Sequence, residues 1–298
     1  MMRYKVNNKK TTTVAAALAL LVIGGGLLLS WAQPSPPETE KPLPSTSRPV
    51  MARAVSVEDG STLVEQGVLV RLWRGEIMGK EAYAVRQQGE GFVLTTTAEF
   101  QGSRQGVDFV QRLATSLPLA AEYRPQGYTL VQFIEWADDT LELMSAQIAF
   151  SNGQAQAEAR WTQPEPFVQN RTWELPDLPV ALLQPNVLSH WVVLTRLFEA
   201  FEVRAGMDEL RISWLHPFAD SVGTARIRRL EPVTIVHNGQ EEMAERLEVT
   251  VELGAMKEVV ELFVRNGEFL GAVAVGFGED KAFIFRWDLF PEGFRVKR

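Results

Sequence analysis

The chain has no cysteine among its 298 residues. This excludes a disulfide framework, a thiolate metal site and the lipobox thiol through which a bacterial lipoprotein is acylated. Histidine is scarce as well. His190, His216 and His237 are the three present, and none pair at the i,i+4 spacing that sets two imidazoles on one helix face. No metal is expected. No glycine-rich dinucleotide fingerprint and no phosphate-binding P-loop occur, so no cofactor is expected either. The nucleophile-elbow pattern G-x-S-x-G is also missing. Ser189 and His190 are adjacent, so on a helix they would point about 100° apart and could not act as nucleophile and base. The carboxylate pairs Asp138-Asp139, Glu241-Glu242 and Glu279-Asp280 fall in expected turns, whereas glycosidase chemistry needs two carboxylates facing across a cleft.

Positive charge is confined to the start. Residues 1–32 carry Arg3, Lys5, Lys9 and Lys10 and no acid. The remainder has 26 Lys/Arg against 37 Asp/Glu, a net charge of −11. Such a surface does not suit nucleic acid or electrostatic docking on anionic lipid.

What is present begins with an uncharged apolar run of 18 residues, 14–31, directly after those four bases. Its length lies between a signal-peptide core (~7–15 residues) and a spanning helix (~17–25). It is read as an uncleaved single-pass anchor, with a cleaved signal as the alternative. Gly24, Gly25 and Gly26 weaken a helix there, and Ser30-Trp31-Ala32 offers a small-x-small cleavage site. In both cases the basic end stays inside and the C-terminal part lies outside the cytoplasm. Residues 33–49 hold six prolines and read as an extended linker. The expected organisation is therefore 1–32 signal or anchor, 33–55 proline-rich linker and 56–298 an extracytoplasmic β-rich domain.

Beyond residue 60 the apolar pattern has period two. Phe92, Leu94, Thr96, Ala98 and Phe100 alternate, as do Ala155, Ala157, Ala159 and Trp161, then Leu247, Val249, Val251 and Leu253. Each set reads as a strand with one buried face. Asn152-Gly153, Asn238-Gly239 and Asn266-Gly267 separate alternating segments and predict type I′ hairpins. Strands are expected from about 64 to 162, one of them over 119–124, and again from about 208 to 289. A helix over 186–201 separates sub-parts 60–178 and 207–298, with Asn186 as its N-cap and Val187, Trp191, Leu194 and Phe198 on its apolar side. A second, weaker helix is expected over 106–116. The fold class is mainly β: a curved antiparallel sheet, half-barrel or sandwich-like meander, packed on one central helix and preceded by the N-terminal transmembrane or signal helix.

Phe283, Phe285, Trp287 and Leu289 would share one strand face. The bland reading makes them core. The sharper one makes them, with Trp191, Leu194 and Phe198 of the helix as lid, the wall of a site for a hydrophobic ligand. The overall strand-rich arrangement resembles exported bacterial β-sheet proteins of the lipoprotein-carrier-like kind, and the strand–Gly–turn–Gly–strand opening from Gly67 through Gly75 and Gly79 to Glu81 resembles that of uncharacterised exported proteins that begin a β domain. The resemblance implies a curved sheet wrapped round helices. The missing lipobox cysteine departs from carrier-type lipoproteins. A non-enzymatic binder of a lipid or other hydrophobic molecule is the leading expectation. An envelope assembly or scaffold subunit acting through protein contacts is the alternative, and a hydrolase whose site is assembled from turns is the third.

Overall fold

Asn-Gly pairs close the hairpins at three places. Asn152, Asn238 and Asn266 have φ of 48°, 50° and 51°, and the following glycines lie near 75°. Two successive residues at positive φ define the type I′ turn, whose twist matches that of the flanking strands. Each hairpin then extends the next. The computed structural model describes residues 60–297, apart from 74, 105, 164–165, 185, 206–207, 255 and 276–281. The expected anchor and linker lie outside these residues, as does the Glu279-Asp280 pair. No helix among the described residues is long and apolar enough to cross a membrane.

The first strands are β1 (Thr62–Trp73), β2 (Glu76–Gln88), β3 (Gly91–Arg104), β4 (Val107–Leu119), β5 (Gly127–Trp136), β6 (Leu141–Ser151), β7 (Gln154–Gln163) and β8 (Phe167–Glu174). After the short β9 (Val180–Leu182) comes helix α1 (Ser189–Ala205). Then follow β10 (Glu209–Leu215), β11 (Gly223–His237), β12 (Gln240–Leu253), β13 (Met256–Arg265), β14 (Glu268–Val275), β15 (Phe283–Arg286) and β16 (Arg295–Lys297). They form one long, curved, unclosed sheet, antiparallel except where β9 runs parallel to β10. Its order is β8 to β1 in sequence, then β15 back to β9, with β16 beside β11. The seam is β1 against β15, where Val70 pairs Phe285 and Leu72 pairs Phe283.

Side chains alternate between the two faces. The inner face carries Leu94, Thr96, Tyr128, Ile148, Ala157 and Val249, all buried around α1. The helix is apolar on most sides. Val192, Val193, Leu194, Leu197 and Phe198 are all buried, which a helix facing solvent on one side would not permit. The outer face has a smaller core of its own. Val70, Ile235, Phe263 and Phe285 meet Phe290 and Phe294 of the C-terminal segment there.

The glycines at the opening serve close packing. A side chain at Gly67 would collide with the Arg286 guanidinium, and one at Gly79 with the Phe100 ring.

Two expectations are corrected. Residues 107–116 belong to strand β4, and Gly106 to the turn before it. The strand's inward positions Gln111 and Thr115 are polar yet buried, so the apolar alternation that marks a strand is broken there. Residues 119–124 end β4 and then turn, with Tyr123 N–H donating to the Ala120 carbonyl at 2.9 Å. Strands β8, β9 and β16 were not anticipated.

Candidate functional site

The seat of α1 is polar. Glu81 on β2 is fully buried and its two carboxylate oxygens accept the Leu188 and Ser189 backbone N–H groups, each at 2.6 Å. A carboxylate there satisfies helix-start donors and meets the positive end of the helix dipole. Burial nevertheless pushes its pKa up to about 7, against the lowering effect of the Ser189 hydroxyl and the two backbone donors. The Ser189 hydroxyl is 2.8 Å from that of Thr96 on β3. Asn186, expected as the N-cap, instead accepts from Arg71 at 3.3 Å and donates to Gln111 at 3.1 Å. The cap comes from a strand distant in sequence.

The middle of the helix is held by charge. Glu65 accepts from Arg196 of α1 at 2.9 Å, from the Tyr83 hydroxyl at 2.7 Å and from Arg286 at 3.3 Å. Arg286 also pairs Asp288 at 2.5 Å. Farther along, Arg229 pairs Glu202 of the helix and Glu245 of β12, and its guanidinium lies 5.8 Å from the Phe198 ring centre.

Beside the helix start, two histidines sit in the interior. His190 and His216 are each 1% exposed. His190 Nδ1 accepts the Gln184 N–H at 3.0 Å, and His216 Nδ1 accepts the Phe218 N–H at 3.1 Å. A ring nitrogen that accepts carries no proton, so each neutral imidazole has its proton on Nε2. Both Nε2 atoms are buried without a partner among the described residues. Burial drives both pKa values down to about 3, helped at His190 by His216 and at His216 by Arg171. Under them runs a row of directly paired residues on four strands: Tyr128, Ile148, Ala157 and Arg171. The Tyr128 hydroxyl donates to Gln184 Oε1 at 2.6 Å, and its ring meets His190 edge-on at 5.7 Å. Arg171 pairs Asp220 at 2.9 Å and keeps Nη1 buried and unpaired.

Neither interior histidine hydrogen-bonds a serine or a carboxylate among these contacts. His237 lies elsewhere, with Nδ1 3.0 Å from the Gly293 carbonyl. No group of three or more His, Asp or Glu among the described residues fits a metal ion.

The six residues expected to bind a hydrophobic ligand fall into two groups. Trp191, Leu194 and Phe198 belong to α1 on the inner face; the latter two are buried and Trp191 is half-buried. Phe283, Phe285 and Trp287 join the outer core with Phe263, Phe290 and Phe294. The alternation of β15 explains the split. Arg286 reaches inward to Tyr83 and Glu65, so Phe285 beside it points outward. The sheet separates the two groups. Glu81, Tyr128, Gln184, Arg171 and His216 were not singled out by sequence. The one available signal was a polar residue on an otherwise apolar strand face, such as Glu81 between Gly79 and Tyr83. An open groove of about 620 Å³ also lies at the β2–β3 and β4–β5 turns, lined by Phe92, Leu119, Glu122 and Arg124 among others.

No family model matches the chain, and no curated protein matches it. Among solved structures, it is similar to a β-barrel-like protein of the domain of unknown function DUF1849 from Brucella abortus. The identity is 10% and the TM-score 0.47, over 80% of this chain and 100% of that one. It is also similar to a DUF1089 family protein from Pseudomonas aeruginosa, at 14% identity and TM-score 0.36, over 67% of this chain and 91% of the other.

Proposed function

We propose that the protein is an exported, membrane-tethered, non-enzymatic binder of a hydrophobic ligand such as a lipid, which it takes up on the inner face of its curved sheet when α1 lifts. The membrane placement comes from the basic N-terminus and apolar run of 14–31, with release after signal cleavage as the alternative. The observation that carries the reading is the nature of the plug. An apolar sheet face is covered by a single helix, and the helix is fastened through polar contacts at Glu81, Thr96 and Glu65. Hydrogen bonds to charged groups contribute about 1.5–3 kcal/mol each and can be exchanged for water, whereas the apolar face needs an apolar cover. A lipid chain supplies one.

Native mass spectrometry of the full-length chain, isolated from its own membrane in mild detergent, tests this. Retained lipid mass is expected. A chain free of lipid that also takes up none on reconstitution would sink the reading.

A specific observation favours the second reading, an envelope scaffold subunit. Strand β8 has one neighbour, β7, and its outer edge carries Phe167 at 55% and Val168 at 50% exposure. An unpaired edge with apolar side chains is a template for β-augmentation by another protein. Crosslinking through β8 in the intact membrane, together with a lipid-free mass, would move the conclusion there.

A further inference from the structure

We propose that His190, His216 and Arg171 form a buried site for an oxygen anion, carboxylate or phosphate, and that in the loaded protein this anion is the headgroup of an amphiphile. The headgroup half rests on the hydrophobic-ligand reading above; the anion site stands on the geometry alone.

Three unpaired donors share one neighbourhood: His190 is bonded to the Gln184 N–H, the adjacent Leu183 N–H donates to the Leu215 carbonyl beside His216, and Arg171 pairs Asp220 four residues farther on. The Nε2–H groups of His190 and His216 are buried and unpaired, and so is Nη1 of Arg171. Buried polar groups in folded proteins almost always find partners, so three unmet donors in one neighbourhood call for an acceptor. The nearby Gln184 Oε1 is already taken by the Tyr128 hydroxyl. The fixed tautomers decide the class of ligand. A metal would need a lone pair on Nε2, and in the neutral ring that nitrogen carries the proton because Nδ1 accepts from backbone. An oxygen anion needs what these rings offer. With both imidazoles neutral, Arg171 brings the one positive charge, and its bond to Asp220, whose side chain is 71% exposed, leaves Nη1 free for the interior. Beneath the histidines, Ala155, Ala157, Ala159, Ala146, Met144 and Ile148 are buried and apolar. Small side chains at that place leave the path of an acyl chain unobstructed once α1 has lifted to admit it and the first turn of the helix, with His190, has reseated over the headgroup.

The test uses full-length protein in phosphatidylcholine nanodiscs with ¹⁵N-labelled histidine. Only three histidines exist, and His237, held by the Gly293 carbonyl, serves as internal control. The probes are oleate, oleyl alcohol and inorganic phosphate. Oleate is expected to shift the Nε2 resonances of His190 and His216 and leave His237 unmoved, while oleyl alcohol leaves all three in place. Arg171→Gln, a change on the edge strand, is expected to weaken oleate binding about tenfold, as loss of a charge-assisted hydrogen bond does, without altering uptake of the alcohol. Shifts with phosphate but none with oleate would keep the anion site and overturn the headgroup assignment. Equal binding of oleate and oleyl alcohol, indifferent to Arg171→Gln and silent at the histidines, would overturn the anion site and leave the hydrophobic-ligand reading intact. No uptake of either amphiphile would count against that reading instead.

Discussion

Glu81 and the two interior histidines respond to pH in opposite senses. Glu81 has its pKa raised from 4.5 to about 7 by burial, so between those values the folded chain holds a proton that the unfolded chain has lost. Its contribution to stability is greatest in acid and declines as pH rises through 7. His190 and His216 are lowered from 6.5 to about 3. Between 3 and 6.5 the unfolded chain therefore holds two protons that the folded chain refuses, and stability falls as pH falls. From about pH 4.5 to 6.5 these three groups leave a net of one proton in favour of the unfolded state, so stability rises with pH by about 1.4 kcal/mol per unit. Glu81→Gln removes the opposing contribution and is expected to steepen this to about 2.7 kcal/mol per unit. Urea unfolding of the unit Val57–Arg298 at pH 5 and pH 6 measures both slopes; an unchanged slope in the variant would show that Glu81 is not buried as described. None of this was legible in the sequence. Glu81 reads as one more acid, because its partners at Leu188 and Ser189 are more than a hundred residues away. The Asn-Gly turns were legible, because a type I′ hairpin is written in two adjacent residues.

At the scale of elements, alternation and helical spacing work where one face is uniformly apolar, as in β3, β7 and β12. The helix was anticipated at 186–201 and stands at Ser189–Ala205. Its start moved because the cap is supplied from another strand. Strand β4 was hidden by Gln111 and Thr115 on its buried face, and β8 by its mostly exposed edge sequence. The outer core was legible as an aromatic cluster but not as a second face. Phe294 is its keystone: it packs on Phe263, Phe283 and Phe290 at 5.8, 5.0 and 5.1 Å and lies over Gly271. Phe294→Ala is expected to cost about 3–5 kcal/mol, as large core truncations do. Phe167→Ala, on the exposed edge, should stay within about 0.5 kcal/mol. Equal losses in urea midpoints for the two variants would contradict the assignment of the C-terminal segment as a structural cover.

Across the whole molecule, the seam between β1 and β15 makes one sheet from the strands before and after the helix, and that pairing joins residues more than two hundred apart. No local pattern announces such a contact. The sheet order ends at β8 and β9, and β8 is tied by side chains to the segment between β10 and β11: the Trp173 indole donates to the Ala219 carbonyl at 3.2 Å, and Arg171 reaches Asp220. A sheet that curves without closing can widen, and α1 is what fills its concave side. A ligand enters the concave side only if that helix moves. Because the chain has no cysteine, a single introduced pair reports without interference. The Ser189 and Thr96 hydroxyls, 2.8 Å apart, mark positions close enough for a disulfide. The decisive measurement is lipid uptake by the Thr96→Cys/Ser189→Cys protein, oxidised and then reduced. Uptake blocked by oxidation and restored by reduction is the predicted result. Equal uptake in both states, with the disulfide confirmed by mass, would contradict the plug mechanism.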